Sequence, residues 1–102
     1  MPKVFAFYSL KPGVSKEDFE EWSRDVDQKT MIQQPGVRRF EVYRVNGAIA
    51  GDASFDFVED IDVDDLDEWR SMTEREEVQP LIAPFEEMVQ ADQMVMVFAD
   101  KV

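Results

Sequence analysis

The sequence predicts an α+β domain in which one four-stranded antiparallel sheet carries two helices on one face. Four segments rich in aromatic and β-branched residues are typical of strands, and two longer segments repeat apolar residues at helical spacing. They occur in the order strand, helix, strand, strand, helix, strand. A chain of 102 residues has the length of one domain, which we assign to residues 1–102.

The first strand and the first helix are delimited by clear boundary signals. The strand is KVFAFYSL, residues 3–10, and the turn residues KPG end it. Ser15 is a suitable N-cap for the helix that follows, and two acidic residues in the first turn suit the helix dipole. Apolar residues at helical spacing predict that this helix continues to about Met31 or Ile32. These residues are Phe19, Trp22 and Val26.

The middle of the chain predicts two adjacent strands. Pro35 and Gly36 end the helix and open the second strand, which lies within PGVRRFEVYRVNG, residues 35–47. Its Asn-Gly pair is a turn signal. The third strand is predicted from about residue 53 to residue 61, where ASFDFVEDI alternates again.

The second helix is predicted to be broken by proline. It begins within residues 62–67, and its apolar stripe continues through Trp69 to Val89. Pro80 and Pro84 interrupt that stripe, and a proline inside a helix costs about 3 kcal/mol. We therefore expect one segment to about Glu74 and a second from about Pro84. The last strand is QMVMVFADKV, residues 93–102.

This order of elements is the split βαβ pattern of ferredoxin-like folds. Right-handed crossovers place the first and third strands at the centre of the sheet and both helices on the same face. The first and last strands are nevertheless apolar on both faces, and such strands need cover on two sides. We therefore expect a homodimer in which two sheets pack face to face, as in a dimeric α/β barrel.

The second strand carries charge on both faces, which predicts a polar cluster between the two sheets. If Phe40, Phe55 and Phe57 face the helices, a set of polar side chains faces the partner sheet. This set is Arg39, Glu41, Tyr43, Ser54 and Asp56, with Tyr8 from the first strand. Polar groups between sheets need partners, and Arg39 with Glu41 or Asp56 would be paired. The cluster either fixes the register of the dimer or lines a polar ligand cavity.

Composition excludes several functional classes. The net charge is −12, with 11 basic and 23 acidic residues, so nucleic acids and anionic membrane surfaces are not expected partners. No apolar run approaches the roughly 20 residues of a membrane span and no signal pattern opens the chain, which predicts a cytoplasmic protein. The chain has no histidine and no cysteine, which removes histidine-based catalysis and thiolate chemistry.

No metal site is predicted. The acidic run EDIDVDDLDE, residues 59–68, resembles a calcium loop only in its alternating aspartates. Counted from Asp60, the sixth position is Asp65 and the twelfth is Ser71, where an EF-hand needs glycine and glutamate. The run is typical of a solvated loop whose aspartates cap the next helix.

Two tryptophans have alternative interpretations. Trp22 and Trp69 lie on the apolar stripes of the two helices, where aromatic residues usually pack into the core. They would also suit the wall of a cavity between the helices and the sheet, which would take a flat aromatic or polyketide-like molecule.

Three segments resemble the dimeric α/β-barrel superfamily over nearly the whole chain. They are QQPGVRRFEVYRV, DLDEWRSMTEREEVQPLIAPFEEMV and MVMVFADKV. Within that superfamily the chain is most similar to RedY-like or HapK-like proteins of prodiginine (tripyrrole pigment) biosynthesis, with the EthD-type branch as a neighbour. The resemblance implies a cytoplasmic homodimer that acts on, or holds, a hydrophobic small molecule without a bound cofactor. Haem-degrading relatives use histidine, so haem chemistry is disfavoured here.

Two functional hypotheses follow. The first is a pathway enzyme or accessory of secondary metabolism that processes an aromatic or pyrrolic intermediate. Its catalytic residues would be Tyr8, Arg39 and Tyr43, the arginine binding a carboxylate or carbonyl oxygen and the tyrosines relaying a proton. Its substrate-binding residues would be Trp22, Glu41, Asp56 and Trp69. The second hypothesis is a non-catalytic binding or interaction module.

Overall fold

The computed structural model describes residues 2–102 and contains one antiparallel sheet of four strands. The strand order in the sheet is β2-β3-β1-β4, so the first and third strands are central, as predicted for a ferredoxin-like fold. The α+β fold class is thereby confirmed. The strands are β1 Lys3–Tyr8, β2 Val37–Arg44, β3 Phe57–Val63 and β4 Val95–Ala99.

The helices lie in the two predicted regions of the chain. Their bounds are α1 Lys16–Trp22, a π-helical segment Ser23–Asp27, α2 Gln28–Met31, α3 Leu66–Arg70 and α4 Gln79–Met88, with 3₁₀ turns at Met72–Glu74 and Ala91–Gln93. The side chain of Ser15 caps α1 by accepting a hydrogen bond from the Asp18 N–H at 3.1 Å. Asp65 caps α3 in the same way, accepting from the Glu68 N–H at 2.8 Å.

The first helix contains a wide turn that the sequence pattern did not predict. The N–H of Gln28 donates to the carbonyl of Ser23, five residues earlier, which is the hydrogen bond of a π-helix. Because this turn holds more residues than an α turn, the buried positions shift by one. Val26, predicted on the buried stripe, is 42% exposed, and Asp27 faces the interior instead. The prediction for Val26 was wrong.

The third strand lies further along the chain than predicted. It begins at Phe57 rather than near residue 53, because Asp56 caps the end of the first strand: its carboxylate accepts from the Leu10 N–H at 3.0 Å. Phe55, predicted to face the helices, contacts Phe7 instead, with ring centroids 5.7 Å apart. Phe7 lies on the other face of the sheet, so this prediction was also wrong.

The second segment of the second helical region begins earlier than predicted. The last helix begins at Gln79, with Pro80 in its first turn. A backbone N–H in the first turn has no acceptor within the helix, so the N–H that proline lacks costs nothing there. Pro84 lies inside α4 rather than at its start. The helix tolerates this proline because its apolar side anchors it: Leu81 is buried and Phe85 packs on the ring of Tyr8, with centroids 5.2 Å apart.

The hydrophobic core lies between the helices and one face of the sheet, which we call the helix face. Alternate residues of the two central strands supply it: Val4, Ala6 and Tyr8 from β1, and Phe57, Ile61 and Val63 from β3. Phe19 from α1 is fully buried among aromatic rings, with centroids 4.9 Å from Phe57 and 5.8 Å from Tyr8. This cluster holds the first helix against the sheet.

The opposite face of the sheet, which we call the open face, carries no helix. Phe5 and Phe7 of β1 lie opposite Val97 and Val95 of β4 on this face, and the two valines are 41% and 44% exposed. Charged residues of β2 and β3 occupy the rest of it. None of the helices within residues 2–102 is long and apolar enough to cross a membrane.

The π-helical turn leads to a prediction about stability. Val26→Ala should change the free energy of unfolding by no more than about 0.5 kcal/mol, because the side chain is exposed. Phe19 belongs to the same predicted stripe, and Phe19→Ala should lower the free energy of unfolding by about 3–5 kcal/mol because of the cavity it leaves. Urea denaturation of both variants measures this. A loss above about 1 kcal/mol for Val26→Ala would place Val26 in the core and contradict the wide turn.

Candidate functional site

A cavity of about 460 Å³ lies between the helices and the helix face of the sheet. Its wall is mostly apolar and is formed by all the helical elements except α1, together with residues of β2, β3 and β4 and the segment before β4. The apolar lining residues are Met31, Phe40, Trp69, Met72, Val78, Leu81, Ile82, Phe85, Ala91, Met94 and Met96. The indole N–H of Trp69 points at the Met96 sulfur, 3.4 Å away, and ties α3 to the edge strand. The volume falls in the range of small-molecule sites.

Two carboxyl groups, Asp27 and Glu59, line this apolar cavity. Glu59 lies on β3 between Phe57 and Ile61 on the helix face, and its neighbour across the sheet is Ala6, whose small side chain leaves room for it. Asp27 is the last residue of the π-helical segment, and the wide turn directs it inward. Both residues are only 6% exposed. The cavity therefore combines an apolar wall with two buried acids.

Tyr8 holds one of these acids in place. The phenol of Tyr8 donates a hydrogen bond of 2.7 Å to Oε2 of Glu59, and both groups are buried. Tyr8 itself has no exposed surface and packs against Phe19, Phe57 and Phe85. Because these rings restrict the tyrosine, its hydroxyl fixes the orientation of the Glu59 carboxyl group.

Burial raises the pKa of Asp27, Glu59 and Tyr8. It raises the pKa of Asp27 to about 7, and it raises the pKa of Glu59 to about 8, with a further upward effect from the charge of Asp27 and an opposing effect from the Tyr8 hydrogen bond. Burial, followed by the charge of Glu59, also raises the pKa of Tyr8. The cavity thus contains two carboxyl groups that titrate near neutral pH, where an acid–base catalyst is most effective.

The sheet divides the residues that the sequence predicted as a site. Tyr8 and Trp69 both lie on the helix-face side of the sheet. Tyr8 is hydrogen-bonded to Glu59, which lines the cavity, and Trp69 is itself part of the cavity wall. Trp22 packs next to this region, with its ring centroid 6.4 Å from that of Phe85. Tyr8 was expected to join the polar cluster on the open face, and this was wrong because the alternation of β1 directs it to the helices.

The predicted polar cluster lies on the open face and is paired within itself. Tyr43 donates to Glu41 at 2.9 Å, and the Arg39 guanidinium lies 3.7 Å from Glu41. Of the two predicted partners of Arg39, Glu41 is therefore the one observed, and Asp56 is not, since it lies before β3 and binds the Leu10 N–H. Two aspartates of β3 replace it: Asp60 at 3.6 Å and Asp62 at 3.4 Å from Arg39, and Lys3 bridges the same two carboxylates.

Asp56, predicted to bind substrate, lies outside both the cluster and the cavity. One carboxylate oxygen accepts from the Leu10 N–H, and the other lies 3.8 Å from Lys16 at the start of α1. Its contacts connect the loop before β3 to the end of β1. This arrangement positions backbone segments rather than a ligand.

The sequence reasoning missed both acids of the cavity. A signal for Glu59 existed: in FVEDIDV it occupies the same alternate positions as Phe57, Ile61 and Val63, which all face the core. The predicted strand, about residues 53–61, has the same alternation, which places Glu59 on the face of Phe57. Asp27 gave no such signal, because an unbroken helix would have buried Val26. Among residues 2–102, no three acidic side chains are close enough to hold a metal ion.

Comparisons with known proteins agree with this fold. A family model described as REDY-like protein HapK matches residues 2–102. HapK from Hahella chejuensis has a similar structure, with a TM-score of 0.78 and 22% identity over 100% of this chain and 93% of that chain. An EthD family protein from Bacillus halodurans is 18% identical with a TM-score of 0.72, covering 100% and 99% of the two chains. No curated protein sequence matches the chain.

A third similar structure is a dimeric ferredoxin-like protein of unknown function from Thermobifida fusca. It is 18% identical, with a TM-score of 0.73, and the alignment covers 98% of this chain and 90% of that chain. At these identities the likeness to solved structures shows the fold alone, and it is the fold predicted from the order of elements.

The buried acids predict an unusual dependence of stability on pH. Because their pKa values are raised on folding, the folded chain binds more protons than the unfolded chain, so stability falls as the pH rises from about 4 to about 8. We expect a loss of at least about 2 kcal/mol between pH 5 and pH 8, measured by urea denaturation. Glu59→Gln should remove roughly half of this loss.

The exposed Glu21→Gln variant is the matched control, since it changes the net charge equally outside the cavity. Its pH dependence should equal that of the wild type. The same slope in Glu59→Gln as in the wild type would show that Glu59 titrates as an ordinary surface acid.

Proposed function

The chain belongs to the REDY-like HapK family, and on that basis we propose that it binds an aromatic or pyrrolic biosynthetic intermediate in the cavity between helices and sheet. The observation that carries this proposal is the cavity itself, which is about 460 Å³ in volume and lined mainly by apolar and aromatic side chains. Such a wall suits a flat conjugated molecule, and Trp69 offers an aromatic ring at its edge.

The protein would act in secondary metabolism in the cytoplasm, without a bound cofactor. The residues that face the ligand would be Trp69 and the two acids Asp27 and Glu59, with Tyr8 behind Glu59. Trp22 would support the aromatic cluster that carries the cavity floor. These assignments replace a site centred on Arg39 and Tyr43, whose side chains lie on the other side of the sheet.

The open face supports a second part of the proposal, a homodimer. Phe5, Phe7, Val95 and Val97 form an apolar strip on this face, next to a charged cluster whose members are already paired. Paired charges can be buried between two sheets at a smaller cost than isolated ones. In this arrangement Arg39, Glu41 and Tyr43 would fix the register of the two copies rather than bind a ligand.

A non-catalytic role is the second candidate function. The observation that favours it is the open-face cluster, whose charged side chains already lie close to opposite charges of the same chain. A pure interaction module has no need for a cavity above the roughly 300 Å³ at which ligand sites begin. The second candidate is therefore a protein that carries its ligand without changing it.

Ligand binding can be tested with 2,2′-bipyrrole as the probe. In a Trp22→Phe background, the fluorescence of Trp69 should be quenched as the probe fills the cavity. Ile82→Trp should weaken binding at least about tenfold, because the larger side chain occupies the space of the ligand. Ile32→Trp, on an exposed surface outside the cavity, is the matched control and should bind like its parent.

Because both variants add a tryptophan, probe binding in this comparison is measured by calorimetry. Equal affinities in Ile82→Trp and Ile32→Trp would mean that the probe binds elsewhere. Absence of any binding by the parent would overturn the proposed function.

The dimer can be tested by sedimentation. The wild-type chain should sediment at twice its mass of 11.9 kDa at micromolar concentration. Val97→Asp should abolish this species and lead to aggregation, because a charge would enter the apolar strip while the rest of the face stays exposed. Ile32→Asp, at a similarly exposed position away from the open face, should remain dimeric. A stable wild-type monomer is the result that would refute the dimer.

A further inference from the structure

Within residues 2–102, no positively charged side chain is paired with Asp27 or Glu59 in the cavity. Burial is the main cause of the raised pKa of both groups, and no basic side chain lowers either pKa. Two ionised carboxylates in such a place would repel each other and lack solvation, which is a costly arrangement. Retaining one proton between them relieves both costs. A pair of this kind is a recognised arrangement for acid–base chemistry in a buried site.

The surroundings of the two carboxyl groups differ, although both line one cavity. Glu59 is held by the 2.7 Å hydrogen bond from Tyr8. Burial alone raises the pKa of Asp27, so within the described residues its carboxyl group has no hydrogen-bond donor that would stabilise its charge. The other charged side chains around the cavity are Arg70 from α3 and Glu86 from α4, and both are exposed at the rim. Because both carboxyl groups line one cavity, one bound molecule would contact both of them.

We propose that Asp27 and Glu59 share one proton and act together as an acid–base pair that moves a proton between two positions of a bound N–H heteroaromatic ring. The reaction class is a prototropic isomerisation. This inference rests on the proposed function and names its chemistry. Tyr8 is a positioning residue, because it acts through the carboxyl group of Glu59 and contacts that group rather than the ligand.

The proton transfers balance without any co-reactant. The protonated carboxyl group gives its proton to a ring atom, so one O–H bond breaks and one bond from hydrogen to the ring forms. The ionised carboxylate removes a proton from another ring position, and the electron pair of that bond stays in the conjugated system. The pair carries one proton and one negative charge before and after the reaction. The proton then returns to its starting carboxyl through exchange with solvent once the product leaves.

The same geometry restricts the ligand class. An anionic carboxylate ligand would add a second negative charge to the cavity, whereas a ring N–H or a protonated nitrogen can donate to the ionised acid. The arginine predicted to bind a ligand carboxylate, Arg39, lies on the open face. The inferred substrate is therefore a neutral or cationic N–H heteroaromatic, and pyrrole-2-carboxylate should bind at least about tenfold more weakly than 2,2′-bipyrrole.

The test is the exchange of carbon-bound ring hydrogens in heavy water, since the N–H hydrogens exchange without a catalyst. The wild-type protein should accelerate deuterium incorporation into 2,2′-bipyrrole, followed by proton NMR, with a bell-shaped pH profile that reports one shared proton. Asp27→Asn and Glu59→Gln should each slow this exchange at least about 100-fold. Both should bind the probe within about threefold of the wild type, since neither change alters the shape of the cavity.

Two further variants separate positioning from a structural effect. Tyr8→Phe should slow exchange by less than either acid variant and displace the alkaline limb of the pH profile, because Glu59 loses its donor. Glu87→Gln, exposed on α4 and absent from the cavity wall, should exchange like the wild type. Exchange that is unchanged in Asp27→Asn or Glu59→Gln would overturn the proposal.

The wild-type protein offers a measurement that does not depend on any variant. Carbon-13 NMR of labelled Asp and Glu side chains should show two carboxyl groups that titrate together in two steps, the second near neutral pH. Independent titration of every carboxyl group near pH 4 would overturn the shared proton. Binding of the probe without exchange would overturn the acid–base role alone, whereas failure to bind would overturn the proposed function as well.

Discussion

The handedness of its two crossovers is the constraint on which this structure depends. Because each right-handed connection returns over the same side of the sheet, both helical regions cover one face. That face receives the aromatic core around Phe19 and the cavity beside Trp69. The other face keeps its apolar strip and its charges exposed in the single chain. The division into the side to which we assign a ligand and the side to which we assign association therefore follows from topology before any particular side chain is considered.

Charged side chains on the two faces of the sheet are stabilised in different ways. On the open face, Arg39 and Lys3 lie close to the carboxylates of Asp60 and Asp62, so each charge has an opposite neighbour. On the helix face, Asp27 and Glu59 have no such neighbour, and burial changes their protonation instead. Pairing stabilises a fixed arrangement, whereas a titrating pair can exchange protons with a ligand. This contrast is why we assign the chemistry to the cavity and the register to the open face.

The sequence was sufficient for the fold because the fold depends on patterns that span many residues. Alternation in β1 and helical spacing around Phe19 are repeated signals, and the order of the six elements determines the topology. The site depends on single events. One wide turn exchanges Val26 for Asp27, whereas Glu59 faces the core because it alternates with Phe57 and Ile61. The wide turn alters local hydrogen bonds without changing the composition of the segment, so periodicity does not reveal Asp27.

The wall of the cavity contains four methionines, Met31, Met72, Met94 and Met96. Unbranched thioether side chains have three rotatable bonds and polarisable sulfur atoms, so they adjust to ligands of different outline more readily than leucine or isoleucine would. The wall would therefore accommodate several ring systems of the proposed ligand class. The same atoms are open to oxidation, and Met96 is the most exposed of them. A sulfoxide there would place a polar group beside Trp69, so the affinity for the proposed ligand would depend on the redox state of the surroundings until a reductase restored the thioether.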